Sequence, residues 1–222
     1  MDDVSLQKLR AEVARDLAPV RPLRPAWMRA LLLLPCAALG FALLARLFPG
    51  WQVNGLAWAV AGLQLLVAYG ILWVGLREAV PGQGPGLPAL GLAALVATLT
   101  VGGSNALLLA LRPMDVPPGL DWPFVVHCFR IELLLGLPAV ALGFWLATRG
   151  FPLRPVVAGL LGGLSAGVAA SGIWSLFCPV NELLHLVASH IGPIVAVALA
   201  GFFAGAWWSR RQLARRRRHD LV

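Results

Sequence analysis

Six stretches of this chain are each long and apolar enough to cross a bilayer, which takes about 20 residues as helix. They run Trp27–Phe48, Leu56–Leu76, Leu87–Leu111, Pro123–Ala147, Pro152–Phe177 and Leu183–Trp208. Of the 222 residues, 59% are hydrophobic and only 13% charged, where a soluble domain has about 45–50% and about 25%. A buried soluble core is thereby excluded. The expected fold is all-α, a polytopic membrane protein whose six transmembrane helices form a bundle. "VGGSN" at 101–105 interrupts the third run, and weakly polar patches of this kind belong where a helix faces other helices. The first run is not a signal peptide: about 26 residues, acids included, precede it, and no small-residue cleavage site follows.

Charge sets the orientation. Of the 18 Lys and Arg residues, all but Arg46, Arg112 and Arg130 precede or open the first run, follow the second or sixth, or lie between the fourth and fifth. By the positive-inside rule both termini are cytoplasmic, and the loops at 48–55, 112–122 and 177–182 face outward. The formal charge of +8 is then a topology signal, with no direct nucleic-acid partner implied. Three parts follow: a cytoplasmic segment 1–26, a transmembrane domain 27–208 and a basic cytoplasmic tail 209–222. The closing "RRQLARRRRHDLV" reads as an anchor to anionic lipid, each basic residue near such a surface contributing about 1 kcal/mol. Trp207 and Trp208 before it suit an interfacial belt, so the lipid bilayer is one partner.

In the fifth run Gly159, Gly163, Gly167 and Ser171 recur every four residues. Such a face lets helices approach closely where lipid supplies no hydrophobic drive. Pro35, Pro138 and Pro193 lie inside apolar runs and are expected to kink their helices.

The three cysteines are not equivalent. Cys36 lies within the first run and reads as a small hydrophobe. Cys128 and Cys178 fall at outward helix ends, brought to one side by topology although 50 residues apart. Cys128 and Glu132 are i and i+4 and would share a helix face. In "FCPVNELLHLVASH", Cys178, Glu182 and His185 have the same helical spacing, with Pro179 fit to open the helix and Cys178 to cap it. His190 lies deeper and off that stripe, and His127 points about 100° away from Cys128. Three readings stand: a disulfide in an oxidising compartment, a soft or borderline metal such as copper or zinc on Cys128, Cys178 and His185, or satisfied polar groups at a helix contact. Ionisable groups at a membrane edge are functional candidates by default. There is no CxxC, HExxH, P-loop or GxSxG, so an enzyme is not expected and no resident cofactor is implied.

Before the first run, Leu6, Leu9, Val13 and Leu17 recur at spacings of three and four, the apolar stripe of a short amphipathic helix. Lys8, Arg10, Glu12, Arg15 and Asp16 occupy the other face. Pro19, Pro22 and Pro25 end that helix and stiffen the lead into the membrane. A helix this short is marginal in water and needs a bilayer interface or a partner groove for its stripe.

The tail "DLAPVRPLRP" followed by six spans resembles the NrsF-like membrane anti-sigma factors of proteobacteria. The blocks "HCFRIELLLGLPAVAL", "LRPVVAGLLGGLSAG" and "FCPVNELLHLVASHIGP" extend the resemblance over nearly the whole chain. It implies a protein of the bacterial inner membrane that holds an extracytoplasmic-function sigma factor on its cytoplasmic tail. The sigma factor would be released when metal or oxidative stress is perceived outside. The family's paired cysteines would correspond to Cys128 and Cys178, with Glu132, His185, His127 and His190 completing or tuning the site. The tail match covers Asp16 to Pro25; with the apolar stripe, the sigma-binding residues would be Leu6, Leu9, Val13, Asp16, Leu17, Pro19, Val20, Arg21, Pro22 and Leu23. Cys36 has no counterpart. The rivals are a small transporter, for which only Glu132 and His190 approach the needed depth, and a thiol-redox membrane protein, for which no close cysteine pair exists.

Overall fold

The computed structural model describes residues 3–16, 23–48, 55–111, 122–150, 152–178, 180 and 182–219. Among them it is all-helical, with six helices long and apolar enough to cross a membrane. Helix α1 (Asp3–Asp16) is followed by a short α2 (Ala26–Ala30) and α3 (Leu33–Leu47). Then come α4 (Gly55–Glu78), α5 (Leu87–Leu111), α6 (Trp122–Thr148) and α7 (Pro155–Trp174). The last span comprises α8 (Leu183–Leu186), a π-turn (Val187–Ile191) and α9 (Gly192–His219). The protein is a multi-pass membrane protein.

The first span is not one continuous helix, in keeping with the kink expected at Pro35. It breaks at Leu31–Leu32, between α2 and α3. Pro35 is the cause: it has no N–H for the Leu31 carbonyl and its ring crowds that oxygen. The chain bridges the gap with a tighter Leu34 N–H to Leu31 O bond of 3.0 Å. The segment before the break is pinned from the side. Arg29, buried in the bundle, donates to Leu76 O at the end of α4 (3.2 Å) and to Leu146 O near the end of α6 (3.1 Å). These are terminal carbonyls with no partner inside their own helices.

The fifth span is the axis of the bundle. In its most apolar stretch 83% of residues are buried, against 22–44% in the other five. Its small face is used as the four-residue spacing indicated. Gly159, Gly163 and Gly167 lie directly against the backbone of α9, where a Cβ on Gly163 would sit 2.6 Å from Val197 O. A Cβ on Gly159 would collide with Gly201 O. The third run is not interrupted: α5 is continuous through 101–105. Ser104 faces inward and accepts a 2.8 Å hydrogen bond from Gln64 Nε2 of α4. The last helix runs past Trp208 to His219, so the basic segment is a continuation of the span. Arg211 stacks on Trp207 at 3.9 Å. Pro138 sits inside α6, which stays one helix.

Of the tail residues, Leu17, Pro19, Val20, Arg21 and Pro22 lie outside the described residues, as do the side chains of Leu9 and Asp16. In α1 Leu6 is half-buried and Val13 exposed; Leu23, after it, is exposed.

Candidate thiol and histidine site

Cys128 lies on the first turns of α6, where its spacing from Glu132 puts both side chains on the inward face, each fully buried. Cys178 reaches the same place by a route the sequence reading did not anticipate. It is not the cap of the last span. Its N–H donates to Trp174 O (3.0 Å) after a turn at 175–177, so it closes the C-terminal end of α7. Glu182 has extended backbone and opens α8; Cys178, Glu182 and His185 therefore do not share one helical face. Glu182 stays half-buried, away from the thiols' contacts. Pro179 lies outside the described residues.

The loop nevertheless brings Cys178 Sγ to 3.3 Å from His185 Nε2 and 3.9 Å from Cys128 Sγ. The three ligand atoms lie within 4.8 Å of one another, the one such cluster among the described residues. Cys128 and His185 are buried, and Cys178 is half-buried, so the cluster is approached from the Cys178 side. The hydrogen bond shared with Cys128, together with burial, pushes the Cys178 thiol well above its ordinary pKa.

Two chemistries fit these distances. Both thiols are free, and a disulfide needs their sulfurs about 2.05 Å apart, a local approach of about 1.9 Å. A tetrahedral zinc with bonds of about 2.3 Å to sulfur and about 2.0–2.1 Å to nitrogen has S···S edges near 3.8 Å and S···N edges near 3.6 Å. The observed 3.9 and 3.3 Å match those edges within a few tenths of an ångström. The donor set of two thiols and an imidazole suits soft or borderline metals.

His190 joins Glu132, its Nδ1 lying 2.5 Å from Glu132 Oε1. The contact is close without hydrogen-bond alignment, since neither carboxylate oxygen has a hydrogen-bond partner, and it is an ion pair only when the ring is protonated. Ser171 Oγ lies 3.5 Å from the same nitrogen. The π-turn explains why His190 is not off the stripe. Five residues on an ideal α-helix turn about 140° away, whereas a π-turn, with its i to i+5 bonding, brings i and i+5 toward one face. The His185 and His190 rings consequently meet edge-on at 5.9 Å. His127 goes elsewhere: it is exposed, with its ring 6.1–6.4 Å from Phe48, Phe124 and Trp174.

Sequence reading missed three members. Trp174 walls the thiols as a fully buried indole, and Phe124 stacks on His185 at 5.5 Å. Ser171 stands in the sequence only as part of a packing stripe. The one available signal was position, since Trp174 stands four residues before Cys178 and Phe124 four before Cys128.

The family described as NrsF, negative regulator of sigma F, matches residues 13–210 of this chain. A curated relative, the anti-sigma-F factor NrsF of Caulobacter vibrioides (strain NA1000 / CB15N), is 39% identical over 93 residues, 41% of this chain and 42% of that protein. The match thus spans less than half of the relative. No solved structure matches. With the family match running from the N-terminal helix α1 into the last helix α9, this chain belongs to the NrsF family of negative regulators of sigma F.

Proposed function

We propose that the protein is an anti-sigma factor of the bacterial inner membrane with both termini cytoplasmic. Residues 1–26 hold an extracytoplasmic-function sigma factor, and an outward site on Cys128, Cys178 and His185 triggers release on meeting a thiophilic metal or an oxidant. The observation that carries the sensing half is the convergence of two free thiols, 50 residues apart, on one imidazole. Family membership supports the sigma-factor half, and the basic residues clustered on one side support the orientation. With two thiols and no second redox pair, the site is suited to binding or single oxidation rather than turnover; the protein acts as a regulator, not an enzyme.

The test is made on the full chain in native membranes. Sigma factor should co-purify with it from unstressed cells and be lost after copper, zinc or peroxide treatment. The Cys128→Ser and Cys178→Ser variants should retain the sigma factor under all three. Failure of the unstressed chain to retain any sigma factor sinks the holding role. Unchanged release from the serine variants sinks the sensor.

A further inference from the structure

Resting on the metal reading of the thiol cluster, we infer that His190 is a fourth ligand, making the site a Cys2His2 centre for a zinc-class divalent cation, and that Glu132 positions it. Cys128, Cys178 and His185 supply three donors, while a closed tetrahedral zinc site takes four. His190 is 2% exposed, and its Nε2 has no hydrogen-bond partner. A buried polar nitrogen without a partner is costly inside a bundle. The opposite ring nitrogen, Nδ1, rests against the Glu132 carboxylate. Once that contact aligns as an Nδ1–H to carboxylate hydrogen bond, it fixes the tautomer and orientation of a metal-binding imidazole and leaves Nε2 as the lone-pair donor.

The separation of the two rings requires little change. His185 and His190 ring centroids are 5.9 Å apart; two imidazoles on one tetrahedral zinc, with bonds of about 2.0–2.1 Å, place theirs about 5.2 Å apart. The difference is under 1 Å, within what the π-turn between the two residues can absorb by tightening. His190 lies outside the present 4.8 Å cluster, so metal binding draws the π-turn inward. Ser171, on α7, shares Nδ1 with Glu132 and keeps the ring from turning freely. Glu132 touches no donor atom of the cluster directly and acts as a positioning residue.

The probes are zinc and cobalt added to the purified full chain in lipid nanodiscs. Zinc-edge X-ray absorption on the unsubstituted protein should count two sulfur and two imidazole nitrogen ligands. Cobalt should give the visible bands of a tetrahedral S2N2 site. Glu132→Gln should weaken cobalt binding about 10–100-fold, the range for loss of such an outer partner, with thiolate-to-cobalt absorption retained. His190→Ala should weaken it by no less and shift the ligand-field bands. Two sulfurs with a single imidazole, or wild-type affinity and spectrum in His190→Ala, overturns the role of His190 and leaves the three-donor site standing. No zinc or cobalt bound by the unsubstituted chain overturns the metal reading itself, and the inference with it.

Discussion

Arg29 offers the sharpest test of how the tail is joined to the bundle. Its guanidinium donates to Leu76 O and Leu146 O at 3.2 and 3.1 Å and is 6% exposed. Hydrogen bonds with a charged partner contribute about 1.5–3 kcal/mol each, so the pair is worth about 3–6 kcal/mol gross. Burying the charge offsets part of that, and Nε has no partner, which lowers the net further. Arg29→Ala, which leaves two buried carbonyls bare, should therefore cost about 2–4 kcal/mol, the unsatisfied acceptors adding to the lost bonds. Arg29→Lys, a point charge without the planar fork, should recover about half. The assay is reversible unfolding of the full chain in mixed micelles with increasing sodium dodecyl sulfate, read by tryptophan fluorescence. The rival state is an arginine snorkelling to the lipid headgroups, in which either replacement is nearly silent. An Ala variant within 0.5 kcal/mol of wild type would refute the clamp.

Gly163→Ala should destabilise by about 1–3 kcal/mol, the usual cost of overpacking, because its Cβ meets Val197 O at 2.6 Å and Ala198 Cα at 2.8 Å, backbone atoms that cannot rotate aside; the same unfolding assay reads it, and a neutral result would mean that α7 and α9 are not in backbone contact. Mass spectrometry after prolonged treatment with a membrane-impermeant maleimide should find Cys178 modified, slowly at neutral pH and faster as pH rises because its thiol is held protonated, with the fully buried Cys128 protected throughout. Equal labelling of the two would contradict the inward placement of Cys128.

The spans, their number and the glycine face were legible because each rests on a local rule. A run of about 20 apolar residues must span, and a four-residue glycine period must lie on one side of a helix. Neither depends on what the helix meets. The site was legible only in its thiols, Glu132 and two of its histidines, not in its aromatic walls or its geometry. Cys128 and Glu132 share a face because one unbroken helix carries both. Cys178 and His185 meet through the turn at 175–177 and an extended Glu182, and single-residue spacing carries no rule for where a helix ends. The π-turn that brings His190 round was hidden for a related reason. Pro193 removes a hydrogen bond from Ser189 O, and whether a helix answers with a kink or a widened turn is settled by its neighbours. Pro35 and Pro138 make the same point: one breaks its helix at Leu31–Leu32, the other lies within an α6 that stays continuous.

The two ends of the molecule are joined by few parts. Cys128 belongs to α6, while Cys178 and His185 belong to α7 and to the last span, which are locked together through bare glycine backbone. Any ligand that draws the thiols together therefore acts on the seam between α6 and the α7–α9 pair, not within either. From Cys128 to Leu146 the rod of α6 is about 27 Å long at about 1.5 Å per residue. Its far end is one of the two carbonyls held by Arg29; the other, Leu76 O, belongs to α4, whose Gly75 packs against Leu161 of α7. Arg29 thus spans the same seam at the opposite face of the membrane, four residues after the tail's last proline. A ligand shifts such an arrangement only by its difference in affinity for the two states. A metal that must bring in His190 has that difference built in, because the fourth bond forms only in the tightened state.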